Sequence, residues 1–388
     1  MRSHKGPLIY NKVMKKIIII LTILLIVCGC SNKKEEVVVE EEPIIEEAII
    51  EEPVTTVTSA TLIMGGDALT HESVYLDNQT SDGYDFTYPF EELKKIVEPY
   101  DLAYYNQETV LGGKEYGVSG YPVFNTPQEV GESLIDAGFN LISLATNHIL
   151  DYYSTYGNQL MLSQLNFFKK YPDVYTAGSY LSGEERSNIK IGEVNDITYA
   201  LLSYTYGSNS YGPNANEDYL VNYIDKDLIR QDVDYIRDKV DVLLVAMHWG
   251  EEGALEENNY QKEYAKFLAD LDVDIVIGTH PHVLQPIEWI DDTLVIYSLG
   301  NMYSNQYFNI DNLSSCLTSV NITKTQTGED VDIEIKDVTC DLIFTVLNDR
   351  HKVYLYRDLT DEQLNSHETY FNKYKDILTK YESDIVVR

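Results

Sequence analysis

Basic residues are scarce in this 388-residue chain: 29 Lys and Arg stand against 63 Asp and Glu, a formal net charge of −34. Residues 1–58 hold seven Lys and Arg and nine Glu, close to balance, so the acidity belongs to the rest of the chain. That excludes nucleic acid and an anionic lipid surface as partners of the main body. An anionic substrate would have to be drawn in locally, as bound divalent cations can do. Cysteine is rare as well. Of four, Cys28 and Cys30 lie near the N-terminus, and Cys316 with Cys340 remain as either one disulfide or two buried thiols. Long hydrophobic runs are missing. The most apolar stretch, Ile17–Val27, is eleven residues, too short for a permanent membrane span.

That stretch follows Met14-Lys15-Lys16 and precedes Val27-Cys28-Gly29-Cys30, the order of a secretory signal. It resembles a bacterial lipoprotein signal, in which a Cys after a small residue is lipidated, and Cys30 fits that position. Residues 1–30 are therefore expected to be a lipoprotein signal peptide, with the protein lipid-anchored outside the cytoplasm at the bacterial membrane. Residues 31–58 hold nine Glu, two Pro and no Gly. Such a stretch cannot bury enough surface to fold alone, so a disordered acidic linker is expected. Residues 59–388 form the folded domain.

From Ala60 onward, short apolar runs alternate with amphipathic stretches, the pattern of stacked α and β layers. Strands are expected at 61–64, 102–105, 141–144, 199–203, 242–246, 275–277 and 294–297. Helices are expected at 90–97, 128–137, 159–169, 226–240 and 260–270. Past Asn301, runs at 331–338, 342–346 and 352–356 read as an antiparallel extension completing a second sheet, followed by a helix over 361–381 capped by Thr360. Asn301 itself is expected to shape the turn after the last core strand, with reaching the site as the alternative.

Polar residues follow these strands with regularity. Asp67 and His71 come after the first, Asn106 and Glu108 after the second, and Asn147, His148 and Asp151 after the third. His248 follows the fifth, and His280 and His282 the sixth. In open α/β sheets the loops past the strands' carboxyl ends converge on one crevice. Five of the eight histidines are in these turns, which points to a metal site. Neutral imidazole is a common ligand, and His280-Pro281-His282 offers two rings on one turn stiffened by proline. Trp249 reads as a packed wall, and Glu251 and Glu252 as solvated. Tyr204, Tyr206 and Tyr211 read as part of a long loop near the site.

The motifs Gly-Gly-Asp67, Asn106-Gln-Glu108, Ala-Thr-Asn147-His148-x-x-Asp151, His248-Trp-Gly, Gly-Thr-His280-Pro-His282 and Tyr-Ser-Leu-Gly-Asn301 together resemble the CapA-type poly-γ-glutamate capsule synthesis family, within the calcineurin-like metallophosphoesterase superfamily. The resemblance implies a four-layer α/β/β/α sandwich of two mixed sheets flanked by helices. It also implies two divalent ions, Zn, Mn or Fe. Asp67 and His282 would hold the first, with His71 reaching it from a longer turn. Glu108 would bridge both, and Asn147, His248 and His280 would complete the second. His148 would be the proton donor and Asp151 would orient its ring. The chain departs from the superfamily's usual Asp-x-His, since His71 is four residues after Asp67, and it has Glu108 where Asp is usual. The implied function is synthesis, export or processing of an anionic polymer such as poly-γ-glutamate, with a membrane synthase complex as partner. A phosphoesterase for another ester, or a non-catalytic synthase subunit, are the alternatives.

Overall fold

The computed structural model describes residues 54–210, 212–347 and 350–388. The signal peptide, Cys30, nearly all of the acidic linker and Tyr211 lie outside the described residues.

One sheet opens with four strands in parallel, β1 (Thr55–Ala68), β2 (Leu102–Gln107), β3 (Leu141–Ser143) and β4 (Tyr175–Ala177). The second sheet comprises β5 (Gly192–Val194), β6 (Ile197–Thr205), β7 (Val242–His248), β8 (Ile275–Thr279), β9 (Ile287–Ile290) and β10 (Thr293–Ile296). Its order is β5-β6-β7-β8-β10-β9, parallel through the middle and antiparallel at both edges. The chain then returns to the first sheet through β11 (Ser314–Thr327), β12 (Asp330–Val346), β13 (Lys352–Leu355) and β14 (Val386–Val387), giving the order β13-β12-β11-β1-β2-β3-β4 with β14 beside β12.

Side-chain alternation sorts each central strand into two buried faces. Leu62, Met64, Leu102 and Tyr104 of the first sheet meet Leu201, Leu244, Ala246, Ile275 and Ile277 of the second in one core. The opposite face of the first sheet, with Ile63, Ala103, Tyr105 and Ile142, is covered by helices at Thr87–Val97, Gln128–Asp136 and Gln159–Phe168. Helices at Lys226–Ile236 and Asn259–Ala269 cover the outer face of the second through Ile229, Val233, Ala265 and Leu268. The expected four-layer α/β/β/α sandwich is the observed architecture. Truncating one of these core leucines would cost about 2–5 kcal/mol.

Several local readings are corrected. β1 starts at Thr55, inside the segment read as linker, because Thr-Thr-Val-Thr is β-branched and suits a strand. The late strands extend the first sheet rather than completing the second, since β11 pairs alongside β1. The last helix is shorter, His367–Leu378, and starts at Ser366 in a left-handed conformation. Thr360 instead uses its hydroxyl and N–H on Gln363. Cys316 and Cys340 are buried free thiols. Among the described residues no helix is long and apolar enough to cross a membrane.

Candidate metal centre

Strand ends of both sheets deliver the site. Asp67 lies near the end of β1, Glu108 just past β2, Asn147 and His148 past β3, His248 at the end of β7, and His280 and His282 past β8. Gly278, one residue past the strand expected at 275–277, is inside β8: a Cβ there would sit 2.0 Å from the Tyr297 carbonyl oxygen, so the neighbouring chain requires glycine. His280 and His282 both take positive φ, 93° and 59°, conformations that cost L-residues energy and recur at functional turns.

Asp67 is fully buried. Its Oδ1 accepts from Asn106 Nδ2 at 2.7 Å, and its Oδ2 accepts from the His280 backbone N–H at 3.2 Å. His282 places Nδ1 3.3 Å from Asp67 Oδ2 and Nε2 3.5 Å from Glu108 Oε1. Asn301 Oδ1 sits 2.9 Å from His282 Nδ1 and orients the ring, so of the two sequence readings it is the reach into the site that this contact bears out. His248 Nε2 lies 2.9 Å from Asn147 Oδ1 and 4.0 Å from Glu108 Oε1, while its Nδ1 is 2.9 Å from Thr279 Oγ1. Asn106, a candidate ligand by sequence, supports instead, bonding Asp67 and accepting from the Ser143 hydroxyl.

The residues gather into groups whose ligand atoms all lie within 4.8 Å of one another: Asp67, Glu108 and His282; Glu108, His248 and His280; and Glu252, His280 and His282. Glu252, expected to be merely solvated, is exposed but belongs to this cluster. His71 does not join any of the three. Its Nδ1 accepts from the Asn305 N–H at 3.2 Å and its ring packs edge-on against Phe124.

Fit to a cation can be judged from unmet valences. Both carboxylate oxygens of Glu108 and the Nδ1 of His280 are buried with no hydrogen-bond partner. Such groups cost roughly 1–3 kcal/mol each, more when charged, unless something satisfies them. Electrostatics agree. Burial drives Glu108 well above the usual carboxylate range, with His282 pulling the other way. Burial disfavours the His282 cation, yet Glu108 and Asp67 outweigh it and raise the ring to about 10. Burial, with neighbouring histidines, pushes His280 down to about 3 and His248 well below its usual value. The mixed N and O donors suit a divalent cation.

His148 and Asp151 form a dyad beside this cluster. His148 Nδ1 lies 2.7 Å from Asp151 Oδ2, which also accepts from the Phe124 N–H at 2.8 Å. Phe124 stands edge-on to the ring, with centroids 4.7 Å apart. Two further contacts complete the surround. Asn209, unread in the sequence, sets Nδ2 3.3 Å from His148 Nε2 and donates its N–H to the Asn147 carbonyl at 2.8 Å. Tyr206 lays its half-exposed ring 4.5 Å from that of His280. Trp249 is a packed wall, with Nε1 donating to Tyr297 O. Tyr204 is also core, its hydroxyl donating to Asp232 at 2.7 Å.

The chain is thus a four-layer α/β/β/α sandwich carrying at its strand ends a His–carboxylate cluster that could hold a divalent metal ion. The family model described as "Bacterial capsule synthesis protein PGA_cap" matches residues 61–306, and the chain belongs to that family. It is 31% identical over 217 residues to the PGA biosynthesis protein CapA of Bacillus subtilis (strain 168), covering 55% of this chain and 56% of that protein. The capsule biosynthesis protein CapA of Bacillus anthracis is 28% identical over 183 residues, covering 46% of this chain and 43% of the relative. The chain thus matches about half the length of these curated relatives. Solved structures with some likeness include a hypothetical protein of Thermus thermophilus, 16% identical with a TM-score of 0.42, covering 71% of this chain and 98% of that one. Another is a putative 5'-nucleotidase of Staphylococcus aureus in complex with alpha-ketoglutarate, 14% identical with a TM-score of 0.42, covering 80% and 58%.

Proposed function

We propose that this protein is a lipid-anchored, extracytoplasmic, metal-dependent hydrolase with a dinuclear centre, acting in the synthesis, export or processing of an anionic capsule polymer such as poly-γ-glutamate. The observation that carries the reading is Glu108, a buried carboxylate with two unpartnered oxygens shared between two ligand groups. Asp67, Glu108 and His282 would hold one ion, and Glu108, Asn147, His248 and His280 the other. The ions, when bound, supply positive charge that balances the buried carboxylates and polarises an oxygen of an anionic substrate. Capsule chemistry is brought in by the family and by the names of the two Bacillus relatives.

The chain's own residues supply proton chemistry. Asp151 fixes the His148 ring with Nδ1–H directed at Oδ2, so Nε2 is the atom at which a proton is held for a leaving oxygen. Phe124 and Asn209 keep that ring from swinging. The acidic body repels a polyanion elsewhere, so substrate contact is confined to the metal cluster.

The test uses the full chain in detergent, with metal counted per chain and hydrolysis measured on poly-γ-glutamate and on phosphate esters. Two ions per chain are expected. His148→Ala should keep both ions and the melting temperature, and lose about 10²-fold or more in rate. Full rate in His148→Ala would sink the catalytic reading, and cleavage of simple phosphate esters without polymer cleavage would favour a phosphoesterase.

A further inference from the structure

Glu108 joins the two ligand groups from the buried side, and Glu252 stands opposite it. Glu252 is exposed, yet its carboxylate lies within 4.8 Å of ligand atoms on both His280 and His282. His280 belongs to the group with His248, and His282 to the group with Asp67. Glu252 therefore meets one histidine of each group from the solvent side. The placement is built into the backbone. Gly253 adopts φ +76°, a conformation open to glycine, and donates its N–H to the Pro281 carbonyl at 2.8 Å, between the two histidines. The loop after β7 is thus tied to the His-Pro-His turn at one residue from Glu252. Glu251, next to it, joins no ligand group.

Because Glu252 shares its histidines with the inner groups, it adds a ligand to those positions rather than creating a separate one. We propose that Glu252 is an exchangeable metal ligand on the solvent side of the centre, and that an incoming oxyanion, carboxylate or phosphate, takes its place. The proposal rests on the metal-centre reading given above. It gives the acidic protein a way to keep its cations in place between turnovers, with a carboxylate that a substrate carboxylate can replace like for like. An exposed ligand is the one that can leave, since water compensates its release and burial does not hold it.

The experiment compares the metal-loaded full chain with E252Q and with E251Q as the control for surface charge. Transfer of metal to a coloured chelator is timed, and binding of inorganic phosphate is titrated. E252Q should release metal roughly 10-fold faster or more, the scale of losing a ligand-supporting group. It should also bind phosphate more tightly, since no carboxylate competes. E251Q should match the native chain in both. Release and phosphate affinity unchanged in E252Q would overturn the proposal, as would an equal effect in E251Q. A chain that holds no metal in any of the three forms would instead overturn the metal-centre reading.

Discussion

Replacing Glu108 by Gln isolates the demand that the metal centre makes on the fold. The two side chains are nearly isosteric, so packing around the fully buried position is kept, the charge is lost and one of the two oxygens becomes an NH2 donor. In the native chain both oxygens lack donors, and His282 Nε2 approaches only to 3.5 Å. Without metal, burial favours the neutral form of Glu108, whose unpartnered oxygens cost about 1–3 kcal/mol. E108Q is the uncharged counterpart of that form, and the metal-free variant should therefore melt at or near the native temperature. With metal present the order reverses. A ligand at a hundredfold its Kd stabilises the native state by about 2.7 kcal/mol. For a domain of this size that is roughly a 4 °C rise in Tm. E108Q loses the carboxylate common to the Asp67–His282 and His248–His280 groups, so its metal-induced rise should fall below about 2 °C. The assay is thermal unfolding of chelator-treated protein with and without added Zn²⁺ or Mn²⁺. A native-sized rise in E108Q would refute the assignment of Glu108 as the shared ligand. A metal-free E108Q that melts far below the native chain would show that Glu108 is held by something other than metal.

Asp151→Asn keeps an acceptor for Phe124 N–H but presents the wrong group to His148, so catalytic rate should drop about 10²-fold with metal content unchanged. Equal loss of metal would make the dyad structural. Arg186 pairs through both terminal nitrogens with Asp232, at 3.0 and 2.6 Å, largely out of water. Arg186→Ala leaves that carboxylate uncompensated apart from Tyr204, and chemical denaturation should record a loss of about 3–5 kcal/mol. A loss under about 1 kcal/mol would mean that the pair is solvated. Asp241 is partly buried, which raises it, but Lys324 and the Thr198 N–H and hydroxyl hold it below its usual value. A depressed folded pKa contributes stability above the unfolded value near 4 and loses it as pH falls through the lower folded value. Urea midpoints of native and Asp241→Asn chains should differ at about pH 6 and converge toward about pH 3. A constant gap would exclude the charge as the cause.

The sequence exposed the site because the central strands of this architecture are buried on both faces. Continuous runs such as Val242–Ala246 and Ile275–Ile277 stand out, and whatever polar residue follows each run is placed at the same edge of the sandwich. Asp67, Glu108, His248, His280 and His282 were all legible by that rule, and the structure brings them together. Short edge strands were not. β4 and β5 are three residues each, and their pairing comes from neighbours rather than from their own pattern. Placement of β11 beside β1, with β12 beyond it, was equally hidden, since alternation says that a strand exists and not which edge it joins.

The residues whose place in the site the sequence reading missed or left open share one physical trait, which is that their role is conferred by a contact across the chain. Asn301 reaches His282 because the chain past β10 crosses the first sheet's end, where Asp67 N–H donates to Gly300 O at 3.0 Å. Asn209 reaches His148 because its own N–H is anchored on Asn147. Glu252 is the strongest case. By spacing it is one of two adjacent acidic residues in a polar turn, and such pairs are ordinarily solvated. The bond from Gly253 to Pro281 ties its loop to the turn that carries the two histidines, while Glu251 stays outside every ligand group. Spacing can therefore identify ligands that their own strands deliver, whereas ligands delivered by loop-to-loop bonds require the folded backbone. The same distinction separates them by exposure: the strand-delivered carboxylates Asp67 and Glu108 are fully buried, and the loop-delivered Glu252 is exposed, as an exchangeable ligand would have to be.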